Sequence, residues 1–380
     1  MRVNMRLFLV PALLAGLAAC GDGQPAGQQA AGGGDAAAPA AAATGVVNFY
    51  NWSDYIAEDT LPGFEAATGI KVNYDVFDSN DVLEGKLLAG NTGYDVVVPT
   101  NNFFEVQRAA GLFQPLNRDK LPNYRHLDPE ILAKLAPQDP ENRFAIPYAW
   151  GTNGLGINLD KVRERLPDAP LDSWDLLFKP ELVSQLKDCG VTVLDAADEV
   201  TEIALNYLGY DTQSTDEAEL QEAMALMTQI RPYIRYFHSS QYIDDFANGE
   251  VCLVLGWSGD LYQAMDDAQE GMNLRYVIPK EGTIIWFDLL AIPADAPHPD
   301  DAHTLLNHLM DPAVAAANTN ATFFPGANKD ALSMVDPEIR NDPAIYPPPE
   351  VMARLFPNPA KPADYARLRN RLWTSVKTGI

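Results

Sequence analysis

From position 46 onward, apolar residues recur with two alternating periods, one for strands and one for helices. The run 46–50 (VVNFY) is a short β-rich strand, and a helix follows at 61–68, stopped by Gly69. Residues 71–76 (KVNYDV) alternate with period two. Ser79 then stands as N-cap to a helix carrying Val82, Leu83, Leu87 and Leu88, closed by Gly90. The run 95–98 (DVVV) is a buried-type strand ending at Pro99. This strand–helix order predicts a parallel, doubly wound α/β sheet. In open sheets of that kind, ligands bind outside the carboxyl ends of the strands. Residues 51–55 (NWSDY) leave the first strand at that end and 100–103 (TNNF) leave the third, so both are expected on one edge.

Further on, 143–148 (RFAIPY) and 154–158 (GLGIN) are extended segments flanking a crossing point. Residues 160–230 are mainly helical, interrupted by a strand-like run at 191–194 (VTVL). The buried strand 251–255 (VCLVL) ends in 256–260 (GWSGD), and 275–278 and 283–292 are two more strands. From Pro299 the chain is helical with proline-rich breaks at 346–349 and 356–362, and there is no internal repeat. The pattern predicts two doubly wound α/β lobes joined by extended hinge crossovers near 148–152 and 277–282. Lobe 1 comprises 45–150 plus 279–330, and lobe 2 comprises 151–278 plus 331–380.

The first 44 residues follow different rules. Arg2 and Arg6 precede an apolar run at 7–19 that is too short to span a bilayer, which is the form of a secretory signal. It ends in Leu17-Ala18-Ala19-Cys20, which resembles the bacterial lipoprotein cleavage motif, where the cysteine is lipidated and becomes the mature N-terminus. The Ala/Gly-rich stretch that follows, to position 44, has little to bury and is expected to be a flexible linker. No later segment is apolar for long enough to cross a membrane. Cys189 and Cys252 then remain; an exported pair points to a disulfide, with two buried thiols as the alternative.

Composition narrows the chemistry. Across 380 residues, 27 Lys+Arg face 52 Asp+Glu, a formal charge of −25. That excess argues against nucleic-acid binding and against docking on anionic lipid, both of which need cationic surface. Hydrophobic residues at 47% suffice for a sizeable core. No GxSxG elbow or P-loop occurs, and Gly151, Gly154 and Gly156 are wrongly spaced for a dinucleotide fingerprint. His303 and His308 share a helix but lie about 140° apart around it, so they do not converge on a metal. Neither metal nor cofactor is expected.

Asp288 stands inside an apolar strand (IIWFDLL, 284–290), where an ionised carboxylate is costly unless paired. Asp260 follows a buried strand, and Glu199 opens a helix; each is also explained as an ordinary helix-start acid. Trp52, Trp257 and Trp286 each lie within a few residues of Asp54, Asp260 or Asp288. Indole faces attract ammonium by about 0.5–2 kcal/mol, and a charge-assisted hydrogen bond adds about 1.5–3 kcal/mol. Aromatic walls with carboxylates therefore suit an organic amine. Paired carboxylates between tryptophans also suit a secreted carbohydrate-active enzyme.

At these residues the chain resembles the periplasmic putrescine- and spermidine-binding proteins of bacterial polyamine ABC transporters, near the putrescine-binding branch. The resemblance runs from about 46 to the end and is dense at 51–60, 74–90, 230–249 and 256–260. It implies a monomeric two-lobed binding protein in the periplasm, without catalysis, that closes on a diamine and delivers it to a permease. A polyamine sensor would share these features. By resemblance, Trp52, Ser53, Asp54 and Tyr55 form the first pocket segment, and Thr100 supplies a hydroxyl beside the variable position Asn102. Glu199 is the pocket glutamate, while Trp257 with Asp260, and Trp286 with Asp288, are aromatic–carboxylate pairs. Cys189 and Cys252 match a disulfide pair. Phe324 stands where relatives often carry tyrosine, Trp286 replaces a phenylalanine of the putrescine branch, and Asn358 adds a distal polar group. These changes bear on ligand length.

Overall fold

The computed structural model describes residues 45–379. The signal at 1–19, Cys20 and the linker to 44 lie outside the described residues. Ten strands form one mixed sheet: β1 (Val46–Trp52), β2 (Lys71–Phe77), β3 (Val96–Val97), β4 (Ala145–Asn158), β5 (Val191–Val193), β6 (Tyr236–Phe237), β7 (Leu253–Trp257), β8 (Leu274–Val277), β9 (Thr283–Ala291) and β10 (Leu355–Pro357). The order is β2-β1-β3-β9-β4-β7-β5-β6, with β10 beside β9 and β8 beside β4. Within it, β1 runs parallel to β2 and β3, and β5 runs parallel to β6 and β7. These are the expected parallel groups. Between them β4 and β9 run antiparallel, which makes the whole sheet mixed.

The expected crossing point at 148–152 is part of one continuous strand. β4 pairs with β9 through residues 145–152, then with β7 and β8 through 153–158. Nearly all of its residues are buried on both faces, so it shows no polar alternation from which one strand could be read. The chain returns from β8 to β9 through residues 278–282.

Helix ends follow local chemistry. Ser79 accepts a hydrogen bond from the Val82 amide at the start of Asn80–Ala89, and Gly69 caps Thr60–Thr68 with φ 76°, a conformation open to glycine. The C-terminal helix Ala363–Thr378 packs on the helices Ala197–Leu208 and Glu217–Ile230. A small cluster of Ala316, Ala331, Val335, Ile339 and Ile345 sits apart from the main core. Cys189 and Cys252 form a disulfide at the amino ends of β5 and β7. No helix among the described residues is long and apolar enough to cross a membrane.

Candidate functional site

Strand ends deliver the site. Trp52 closes β1; Thr100 follows β3 and begins the helix Asn101–Ala109. Trp257 closes β7 and leads into the helix Ser258–Asp266, whose first turn carries Asp260. Glu199 lies in the first turn of the helix Ala197–Leu208, just past β5. Trp286 and Asp288 are two apart on β9, so both project from the same face. Phe323 takes a left-handed conformation (φ 58°) at the end of the helix Pro312–Thr322, and Phe324 follows it inward. Phe323 apart, these residues and Ser53, Tyr55, Asp78 and Ser239 line one cavity of about 30 Å³. Ligand pockets typically measure about 300–1,000 Å³, so the walls must part to admit an organic molecule.

Three of the lining acids are almost wholly buried: Asp288 is 4%, Glu199 5% and Asp260 6% exposed. The Thr100 hydroxyl donates to Asp288 (2.7 Å) and the Tyr242 hydroxyl donates to Asp260 (2.6 Å). Glu199 accepts from Asn153 Nδ2 (2.6 Å) and from the Trp257 indole (2.7 Å). These donors do not offset the loss of water. Burial pushes Asp260 and Asp288 up to about 7, and burial with the adjacent Asp198 charge pushes Glu199 up to about 8. No lysine, arginine or histidine among the described residues lines the cavity. The acids lack a cation there.

Aromatic rings fill the rest of the wall. Trp52 and Trp257 meet edge to face with centroids 5.7 Å apart, and Trp52 donates its indole N–H to the Val98 carbonyl (2.9 Å). Phe324 packs on Tyr55 (4.9 Å) and on Trp286 (5.4 Å). Two glycines make room for these rings. A Cβ on Gly259 would stand 2.4 Å from the Phe324 ring, and one on Gly151 2.5 Å from Trp286. The second glycine of GWSGD thus serves the wall directly.

The structure brings together Trp52, Ser53, Tyr55, Thr100, Glu199, Trp257, Asp260, Trp286, Asp288 and Phe324. Asp54 is not among the lining residues; it is exposed and has φ 55°. Asn102 and Asn358 each donate Nδ2 to Asp198 (2.9 Å) instead of facing the cavity. Sequence reasoning missed Asp78 and Ser239. Both lie just past carboxyl strand ends, β2 and β6, so the edge rule extended to every strand finds them. It also missed Tyr242 and Asn153, which hold the acids from outside the cavity. No group of three or more metal-ligating side chains occurs among the described residues. His303 is structural: it accepts from the Asn117 amide at 2.9 Å.

Residues 62–347 match the family of bacterial extracellular solute-binding proteins. The chain is similar to the putrescine-binding periplasmic protein PotF of Escherichia coli, at 52% identity over 88% of this chain and 91% of that protein. Among solved structures it resembles the spermidine/putrescine ABC transporter substrate-binding protein PotD of Streptococcus pneumoniae (29% identity, TM-score 0.72, 88% of this chain and 99% of that one). It also resembles the TpPotD lipoprotein of Treponema pallidum (25% identity, TM-score 0.75, 88% and 99%).

Proposed function

This chain belongs to the bacterial extracellular solute-binding proteins, and from that premise we propose that it captures a polyamine and delivers it to the permease of an ABC importer. It is a periplasmic binding protein with the two-lobed fold of its relatives, and those relatives are transport components, not enzymes. The carbohydrate-active alternative falls with them. One observation carries the ligand class: three buried carboxylates and several aromatic faces share a cavity that no basic side chain among the described residues enters. An amine supplies the missing charge. Asp288 and Asp260 grip ammonium groups, and the indoles of Trp52, Trp257 and Trp286 flank the methylene chain.

The lobes divide at about 150 and 279, which the change of partners along β4 supports. The small cluster joining Ala316 to Val335 and Ile345 supports extending the first lobe to about 345. The protein acts as a monomer, and it is tethered through a lipid on Cys20; the lipoprotein relative supports the tether. Cys20→Ala is expected to move it from the membrane to the soluble fraction.

Calorimetric titration of the purified protein with putrescine, cadaverine, agmatine, spermidine and spermine tests the reading. Micromolar or tighter binding of at least one, with the amine recovered unchanged, is expected. Binding of none would sink it.

A further inference from the structure

The strands that cross between the lobes have a second side. Along β9, Trp286 and Asp288 line the cavity, so Ile285 and Phe287 project the opposite way. On β4, Gly151 stands opposite Trp286, and Trp150 is the partner of Phe287. Trp150, Ile285 and Phe287 line a recess of about 250 Å³, which shares no lining residue with the cavity among the described residues. The two strands thus stand between two spaces, a nearly shut cavity and an open recess.

A third segment crosses behind them. The small apolar cluster ends at Ile345, and the helix Ala363–Thr378 packs on the helices Ala197–Leu208 and Glu217–Ile230 of the second lobe. Residues 346–362 connect the two, and β10 within them pairs with β9. This segment begins Tyr346-Pro347-Pro348-Pro349, and three successive prolines with fixed φ make it stiff. Tyr346 and Pro347 line the recess, where the Tyr346 ring meets Trp150 edge to face with centroids 6.1 Å apart. Trp150 packs against the main core and Tyr346 against the small cluster, so this contact joins the two.

The walls of the cavity must part to admit an amine. Rotation about strands that lie between two spaces widens one and narrows the other. Opening the cavity therefore drives the stiff segment towards Trp150 and into the recess. Close-packed side chains resist compression, so bulk added to the recess opposes opening. Removing the Trp150 ring loses both the contact made in the closed form and the obstacle to opening.

We infer that Trp150 and Tyr346 are positioning residues for amine capture, which act from behind the hinge strands and set the balance between the open and closed forms. Neither lines the cavity. A change in that balance alters the fraction of binding-competent protein and leaves the ligand contacts alone, so it multiplies the affinity for every amine by one factor. The inference rests on the polyamine reading above and adds the control of closure to it.

The test fills the recess in one variant and empties it in another. Ala331 lines the recess, is 4% exposed and has φ −73°, a conformation open to any side chain. Putrescine and spermidine affinities are measured by calorimetry and dissociation rates by stopped flow, with circular dichroism to check folding. Ala331→Met is expected to raise both affinities by about threefold and to slow dissociation, whereas Trp150→Ala lowers both by about fivefold. Trp150→Phe, which keeps a ring, should fall between Trp150→Ala and the wild type. A purely structural role for these residues predicts losses alone, so the gain from filling is the decisive sign. Leu332→Phe, at a lining position that is 44% exposed, repeats the filling if Ala331→Met does not fold. A folded filling variant that binds no more tightly than the wild type overturns the inference and leaves polyamine capture intact. Factors that differ between the two amines overturn it as well. A wild type that binds neither amine overturns the polyamine reading, and this control of capture with it.

Discussion

Asp288 lies between Phe287 and Leu289 on a buried strand, with the Thr100 hydroxyl donating to it and no lysine, arginine or histidine among the described residues lining its cavity. Such a carboxylate is stable as an anion only when a positive group reaches it. Asp288→Asn keeps the shape and removes the charge, so polyamine affinity is expected to fall by about tenfold or more in calorimetry. An unchanged affinity would show that the amine lies elsewhere. The same burial makes the site sensitive to protons. Ordinary carboxyls titrate near pH ~4; Asp260 and Asp288 are raised to about 7 and Glu199 to about 8. Between those values the folded protein holds protons that the unfolded chain has lost. Their contribution to stability without amine is full below pH ~4 and is lost as pH rises towards ~8. A bound ammonium favours the ionised acids and drives those protons off. The melting temperature without amine should therefore decline from pH 6 to pH 8, while the rise caused by putrescine grows. A rise as large at pH 6 as at pH 8 would contradict this assignment.

At the scale of elements, the parallel groups were legible because their strands and helices alternate with clear periods and clear caps, as at Ser79 and Gly69. The central strand was not. Buried on both faces, β4 lacks the alternation that marks a strand, and its sequence suggests two extended segments instead of one. The site shows the same division. Trp52 and Thr100 follow from the edge rule, and Asp288 from its cost inside an apolar strand. Glu199 and Asp260 have two explanations at sequence level, and the structure joins them: both lie in first helical turns and both line the cavity. Tyr242 and Asn153 were invisible, because a hydroxyl or amide that supports an acid from another element leaves no local pattern. The disulfide stands apart from this chemistry, at the amino ends of β5 and β7, opposite the strand ends that line the cavity. It links residues 63 apart in sequence. Replacing both cysteines by serine should lower stability to urea by about 2–4 kcal/mol while leaving putrescine affinity within about twofold. A large loss of affinity would mean that the bond positions β5 and β7 for binding.

Over the whole molecule, the charge of −25 and the few buried acids do different work. Exposed carboxylates draw cations towards the protein over distances that salt screens, with a Debye length of about 8 Å at physiological ionic strength. The buried acids act at contact and are screened far less. Raising salt to 0.5 M should slow association in stopped-flow measurements by about fivefold, with a smaller change in dissociation. Equal effects on both rates would mean that surface charge does not steer the ligand. The cavity adds a condition of its own: at about 30 Å³ it cannot admit a diamine until its walls separate. Capture is thus opening followed by closure on the amine, with water excluded and the ionic contacts strengthened. Diffraction from crystals of the protein grown with putrescine tests this most directly. The expected map places one ammonium within hydrogen-bond distance of Asp288 or Asp260 and the methylene chain against the tryptophan rings. Putrescine outside the cavity, or a cavity without density in a crystal that holds the amine elsewhere, would contradict it.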